Sequence, residues 1–373
     1  MTTIGVPTEI KPDERRVGMT PGSVRELTSR GHQVLVQSGA GAGAGFADAA
    51  YLAVGADIVG DASAVFEKAD LVVKVKEPQA VERAMLREGQ TLFTYLHLAP
   101  DPEQTRDLLA SGATCIAYET VRDRNGGLPL LAPMSQVAGR LSIQAGATAL
   151  ESPHGGAGVL LGGVPGVAPA EVTVIGGGTV GRHAMEMAVG LGARVTVLDT
   201  NLDTLEDLSA RFGPAITTLY STAASLEEAV LASDLVIGAV LIPGASAPKL
   251  VTAEMIAGMR DGSVVVDVAI DQGGCFATSR ATTHGDPTYV VDGVVHYCVA
   301  NMPGAVPRTS TAALNHATLR HTIALAEKGT EVALLDDPLL LPGLNVHAGR
   351  LTEPAVGAAL GIEAITPDAA LRG

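Results

Sequence analysis

An α/β protein with two mostly parallel sheets is predicted by three features of the sequence. A strand, glycine turn, helix and second strand follow one another over residues 172–199. The part before them alternates short apolar strand-like runs with helical patterns. Two long helical stretches, 133–150 and 311–328, flank the central part. Together these imply two Rossmann-like domains with parallel sheets, one of them discontinuous in sequence, joined by long helices around a cleft. The expected division is 1–130 for the first part of one domain, 131–306 for the other, and 307–373 for the return.

The central unit reads VTVIGGGTVGRHAMEMAVGLGARVTVLD. Val172, Val174 and Ile175 make a short buried strand. Gly176 permits a tight turn, Gly178 lets the backbone approach a pyrophosphate, and Gly181 lets the helix pack close to the strand. Val180, Ala184, Met187, Ala188 and Leu191 recur at helical spacing and predict the buried face. The free N–H groups and positive end of that helix suit a phosphate. Asp199 ends the second strand 23 residues after Gly176, near the roughly 20 expected of an acid that accepts the ribose hydroxyls. Its charge repels a 2′-phosphate and no arginine follows it directly, so the preference is for NAD over NADP.

In the first domain, strands are expected at 3–6, 33–37, 71–76, 91–96 and 114–118, with helices at 22–30 and 102–111. In the second, further strands are expected at 235–240, 263–269 and 294–299. The GAGAGAG run at 39–45 imitates a fingerprint, but no matching helix and terminal acid follow it, so it reads as a turn after a strand.

The composition narrows the function. There are 25 Lys and Arg against 40 Asp and Glu, a net charge of −15, which argues against nucleic acid and anionic membrane surfaces as partners. The hydrophobic fraction, 47%, supplies a sizeable core. Three scattered cysteines suggest neither a disulfide framework nor a zinc site, and no metal is expected. The opening MTTIGVPTEIK lacks the apolar core of a signal peptide, and no run of about 20 apolar residues is free of breakers, so a cytoplasmic protein is the expectation.

Open parallel sheets bind ligands beyond the carboxyl ends of their strands. The polar residues expected there are Arg15 or Arg16, Lys76 and His97 in the first domain, and Asp199, Asp267, Asp271 and Asn301 in the second. Lys76 suits a substrate carboxylate or carbonyl; a solvated strand-end lysine is the alternative. His97 suits proton donation, or is a satisfied core histidine. One arginine suits a two-point clamp on a carboxylate, or a surface ion pair. Asp267 reads as a hydrogen-bonded core residue and Asp271 as an acid/base or water-positioning group. Asn301 and Met302 fit ring and amide contacts, or a plain turn before Pro303.

The stretches GVPTEIKPDERRVGMTP, DLVVKVKEP, LFTYLHLA, PLLAPMSQVAGR, GGVPGVAPAEVTVIGGGTVG, LVIGAVLIPGASAPKLV, VVVDVAIDQGGCFATSRATTH and YCVANMPGAVPRTST resemble, in order, those of the alanine dehydrogenases. The resemblance implies reversible conversion of L-alanine, NAD and water to pyruvate, ammonium and NADH. It implies Arg16 and Lys76 as carboxylate and carbonyl binders, His97 as the catalytic histidine and Asp271 as the acid/base. Ser135, Gly176, Gly178, Gly181 and Asp199 match cofactor contacts, and Asn301 and Met302 an active-site loop. It also implies a homo-oligomer, usually a hexamer. Three departures stand out: Gln136 replaces a glutamate, Gly18 a more usual alanine, and the pair Arg15-Arg16 leaves the clamp open by one residue. The rival is the NAD-binding component of a proton-translocating nicotinamide nucleotide transhydrogenase, which shares the LIPG and APKL motifs but lacks the Lys and His pair. A non-catalytic NAD sensor is the third reading, and it needs none of these strand-end groups.

Overall fold

A computed structural model describes residues 1–240 and 247–372. The chain forms two compact units, Met1–Met134 with Val306–Gly373, and Ser135–Ala305. The LIPG motif, residues 241–244, lies outside the described residues.

In the first unit, β1 (Thr3–Val6), β2 (Gln33–Gln37), β3 (Asp57–Val59), β4 (Leu71–Val73), β5 (Thr91–Thr94) and β6 (Thr114–Ala117) lie in the order β3-β2-β1-β4-β5-β6. All five neighbouring pairs are parallel. Two strands from the C-terminal segment, Leu344–His347 and Arg350–Leu351, extend the sheet antiparallel beyond β6. The order reverses between β1 and β4, and such a switch point is where open α/β sheets bind ligands. The core strands are buried on both faces, as parallel sheets covered by helices must be.

Local chemistry sets the helix ends. Thr20 caps the helix Pro21–Thr28 by accepting from the Ser23 N–H, with proline at the first turn. Asp101 caps Pro102–Ser111 in the same way, and that helix stops at Gly112 with φ 69°. The long helix Pro307–Lys328 belongs to this unit. Its Thr311 hydroxyl accepts from the Val17 N–H at 3.3 Å, and Asn315 accepts from Thr20 N–H at 2.7 Å while donating to Gly18 carbonyl at 3.1 Å. The loop after Arg16 is thereby held by residues 294 to 297 positions away in sequence.

In the second unit, β7 (Glu171–Ile175), β8 (Arg194–Asp199), β9 (Ile216–Tyr220), β10 (Leu235–Gly238), β11 (Val264–Asp267) and β13 (Val294–Tyr297) lie in the order β9-β8-β7-β10-β11-β13. This is again the dinucleotide-binding arrangement, with its switch point between β7 and β10. β12 (Thr288–Val291) pairs antiparallel with β13 at the edge. The helix Ala132–Ala149 carries the chain from the first unit into the second. Both sheets are thus of the predicted parallel α/β kind. Among the described residues, no helix is long and apolar enough to cross a membrane.

Several expected limits are corrected. The strand expected over 71–76 ends at Val73, because beyond it the backbone amides of Val75 and Gln79 bond to the side chains of Glu9 and Glu82. The strand expected over 263–269 ends at Asp267, whose carboxylate draws the following loop back on itself. The strand expected to 299 ends at Tyr297. Residues 39–45 form a turn and a short 3-10 helix, Ala42–Ala44, with φ 78° at Gly39 and 83° at Gly45. The three cysteines are free and buried.

Candidate active site

The glycine turn of the second unit is built for close approach. Gly176 has φ 98°, a left-handed value, which favours glycine. A Cβ on Gly181 would overlap the Gly176 carbonyl oxygen, so only hydrogen lets the helix Thr179–Gly190 start this near β7. A Cβ on Gly139 would likewise overlap the Val180 carbonyl oxygen, which brings the helix carrying Ser135 against the same turn. Gly178 differs: a Cβ there would meet nothing within 4 Å. Gly178 is also the N-cap and has no side chain to satisfy the first helical N–H groups. The space beside it and those donors suit an anion. The buried face of this helix is Val180, Gly181, Ala184, Met185 and Ala188. The expected stripe is corrected there, since Leu191 is exposed and Met187 only half-buried, while Met185 is fully buried.

Asp199 sits at the end of β8, half-buried. One carboxylate oxygen accepts from the Gly177 N–H at 2.7 Å and the other from Asn201 N–H at 2.8 Å. An ionised carboxylate has about four lone-pair sites, so both oxygens keep capacity for hydroxyl donors. These contacts also tie the acid to the glycine turn.

The loop after β11 is organised by Asp267, which is fully buried. Its oxygens accept from Ala269 N–H at 3.1 Å, Cys275 N–H at 2.9 Å, and the Ser279 hydroxyl at 2.5 Å. Burial raises its pKa, with the Ser279 and backbone hydrogen bonds working against that. Lys249 pins the same loop, donating to the carbonyls of Gly273 at 2.5 Å and Phe276 at 3.0 Å. Asp271 stands exposed on this loop in the 3-10 turn Ile270–Gln272. Asn301 lies beyond β13 with φ 60°, and its carbonyl meets His284 Nε2 at 3.2 Å. Met302 is 3% exposed, so it packs into the protein rather than projecting from it.

In the first unit, the cations and the imidazole follow β1, β4 and β5 in the chain. Arg15 is exposed, whereas Arg16 is 2% exposed and paired twice with Glu14. The Arg16 guanidinium also meets the Met134 sulfur at 3.0 Å. Lys76 is half-buried just past β4; its carbonyl accepts from the Thr94 hydroxyl at 2.9 Å. His97 follows β5 with φ 49° and a side chain 43% exposed. Glu119 accepts from its N–H at 2.6 Å and lies 3.8 Å from its Nδ1, while the ring stacks on Tyr95 at 5.7 Å between centroids. The carboxylate holds an otherwise unfavourable left-handed backbone.

The chain matches two models of one protein family: residues 5–138 match the alanine dehydrogenase/PNT N-terminal domain and 142–354 the C-terminal domain. The chain belongs to the alanine dehydrogenase/PNT family. It is 62% identical over 360 residues to an alanine dehydrogenase of Halomonas elongata, covering 96% of this chain and 97% of the relative. A solved L-alanine dehydrogenase superposes with TM-score 0.93 at 53% identity, covering 96% of this chain and 99% of that one. A transhydrogenase from Sinorhizobium meliloti superposes with TM-score 0.82 at 27% identity, over 94% and 100% of the two chains. Within the family, the transhydrogenase is the more distant of these.

No motif marks the residues that hold the site in place: Glu14, Glu119, Lys249 and the buried Glu9, Lys74 and Glu82. Lys74 carried a signal: it interrupts the apolar run LVVKV, and a lysine there is buried only with partners. Gly18 also has a local reason. A Cβ at this position would overlap the Val73 carbonyl oxygen, so here the departure to glycine matches a tighter backbone approach.

Proposed function

We propose that this chain catalyses the reversible, NAD-dependent oxidative deamination of L-alanine to pyruvate and ammonium. What supports this reading is the set of groups that follow β1, β4 and β5 in the chain, Arg16, Lys76 and His97, in a chain similar over its length to alanine dehydrogenases. The second unit supports NAD as cofactor through its open, uncapped glycine turn and Asp199. NAD supplies the hydride acceptor when bound.

Each residue then has a task. Arg16, oriented by Glu14, and Lys76 hold the substrate carboxylate and polarise the carbonyl, which fixes the reacting carbon. In the direction of amination, His97 donates a hydrogen bond or proton to the carbonyl oxygen as ammonia adds to pyruvate, and that oxygen then leaves as water. In the deamination direction, loss of hydride from Cα leaves an iminium. Asp271 takes a proton from the water that adds to it, and the proton is returned so that ammonia departs. Ser135 and the glycines 176, 178 and 181 hold the cofactor with Asp199. Asn301 and Met302 flank the substrate.

The test is an absorbance assay with NADH, pyruvate and ammonium. Oxidation of NADH that requires both pyruvate and ammonium supports this reading. Inactivity there, with hydride exchange to NADP only beside membrane partners, would support a transhydrogenase component, a reading weakened by the 27% against 53% identity of the solved structures. NAD binding with neither activity would support a sensor.

A further inference from the structure

We propose that the buried triad Glu9, Lys74 and Glu82 is a positioning device for Lys76. The proposal rests on the reading of Lys76 as a substrate-binding cation. Lys74 is 0% exposed, and its Nζ lies 3.1 Å from Glu9 Oε2 and 2.6 Å from Glu82 Oε1, both carboxylates being buried as well. Each carboxylate uses its other oxygen on the backbone. Glu9 Oε1 accepts from Val75 N–H at 2.6 Å, and Glu82 Oε2 accepts from Gln79 N–H at 2.7 Å. Those two amides bracket Lys76 in sequence. From the other side, the Tyr118 hydroxyl donates to the Lys74 carbonyl at 2.9 Å and the Thr94 hydroxyl to the Lys76 carbonyl at 2.9 Å.

Beyond the end of β4, two bonds to the β5 side remain, Lys74 N–H to the Phe93 carbonyl at 3.1 Å and Tyr95 N–H to the Val75 carbonyl at 3.2 Å. Past that point the triad takes over from the ladder. As a stabilising device it is a poor choice, because burying charges costs about as much as their attraction returns. Two carboxylates face one ammonium. Burial pushes the Glu9 carboxyl up, against the Lys74 charge and the Val75 hydrogen bond. Burial also opposes the Lys74 charge, yet Glu9 and Glu82 outweigh it and hold that pKa above its ordinary value. What the arrangement does supply is a fixed backbone on either side of one side chain, at the switch point of the sheet.

The test compares Glu9→Gln/Lys74→Met/Glu82→Gln with Lys76→Ala. The triple variant removes every charge of the triad but keeps an amide oxygen for Val75 and for Gln79. It is expected to fold with near-native Tm and to bind NADH with unchanged Kd, while KM for pyruvate rises at least tenfold. Added to Lys76→Ala, it is expected to change the residual kcat/KM by less than twofold, because the element acts through Lys76. A folded triple variant with native KM, beside an impaired Lys76→Ala, would overturn the positioning role and leave the reading of Lys76 intact. Full additivity with Lys76→Ala would overturn it too. Native turnover in Lys76→Ala would remove the reading of Lys76, and this proposal with it. Should the triple variant fail to fold, Glu82→Gln alone, which keeps the acceptor for Gln79, carries the same comparison.

Discussion

Glu14 holds Arg16 at two points, Oε1 on Nε at 2.7 Å and Oε2 on NH2 at 2.5 Å, with both side chains buried. Burial opposes the guanidinium charge, and Glu14 more than offsets it, so the Arg16 pKa is raised. The fork is therefore fixed before any substrate arrives. Glu14→Gln breaks a buried pair and is expected to cost roughly 3 kcal/mol of stability and to raise the pyruvate KM. Urea unfolding and steady-state kinetics on the same preparation check both. Arg15→Ala is expected to change neither, since Arg15 is exposed.

The two glycines of the turn separate binding from folding. Gly181→Ala places a methyl on the Gly176 carbonyl oxygen and is expected to destabilise the second unit by a few kcal/mol. Gly178→Ala meets nothing within 4 Å and keeps an allowed backbone, φ −66° and ψ −163°. Its Tm is expected to stay native while NADH affinity falls at least tenfold, as measured by fluorescence titration. Native affinity in a folded Gly178→Ala variant would remove this turn from cofactor binding.

Asp199 selects the cofactor through charge. Asp199→Asn keeps an oxygen for the Gly177 amide but no longer repels a 2′-phosphate. The kcat/KM ratio for NADP over NAD is expected to rise about tenfold, equal to roughly 1.4 kcal/mol. An unchanged ratio would place the ribose elsewhere.

His321 makes stability depend on pH. It is 3% exposed in the helix Pro307–Lys328, and its Nε2 accepts from Arg320 Nε at 3.0 Å. Burial, then the Arg320 charge, lower its pKa from 6.5 to about 4, against the pull of Asp337. The folded state thus resists a proton that the unfolded state accepts. The contribution is intact above pH 6.5 and is lost as pH falls toward 4. Between pH 7 and pH 5 the loss from this group is expected to be about 2 kcal/mol. His321→Gln is expected to flatten that part of the urea-derived stability profile.

Local chemistry was legible in the sequence, and long-range pairing was not. β1 and β2 have the limits their apolar runs predict, and Gly176 to Asp199 folds as its spacing requires. β3 and β9 escaped notice because they are short edge strands with partly exposed faces and no clear alternation. The burial of Lys74 depends on carboxylates at positions 9 and 82, which meet it only once β1 and β4 are neighbours. Arg16 is distinguished from Arg15 by the same kind of tertiary fact. Asp267 reads as a core residue from its apolar surroundings, and the hydrogen bonds it accepts from Ala269, Cys275, Phe276 and Ser279 agree.

The most direct measurement is a crystal structure of the protein with NAD and pyruvate bound. The account predicts the pyruvate carboxylate within about 3 Å of nitrogens of Arg16 and Lys76, with the pyrophosphate on the Gly176–Gly181 turn. A pyruvate bound away from both side chains would contradict it.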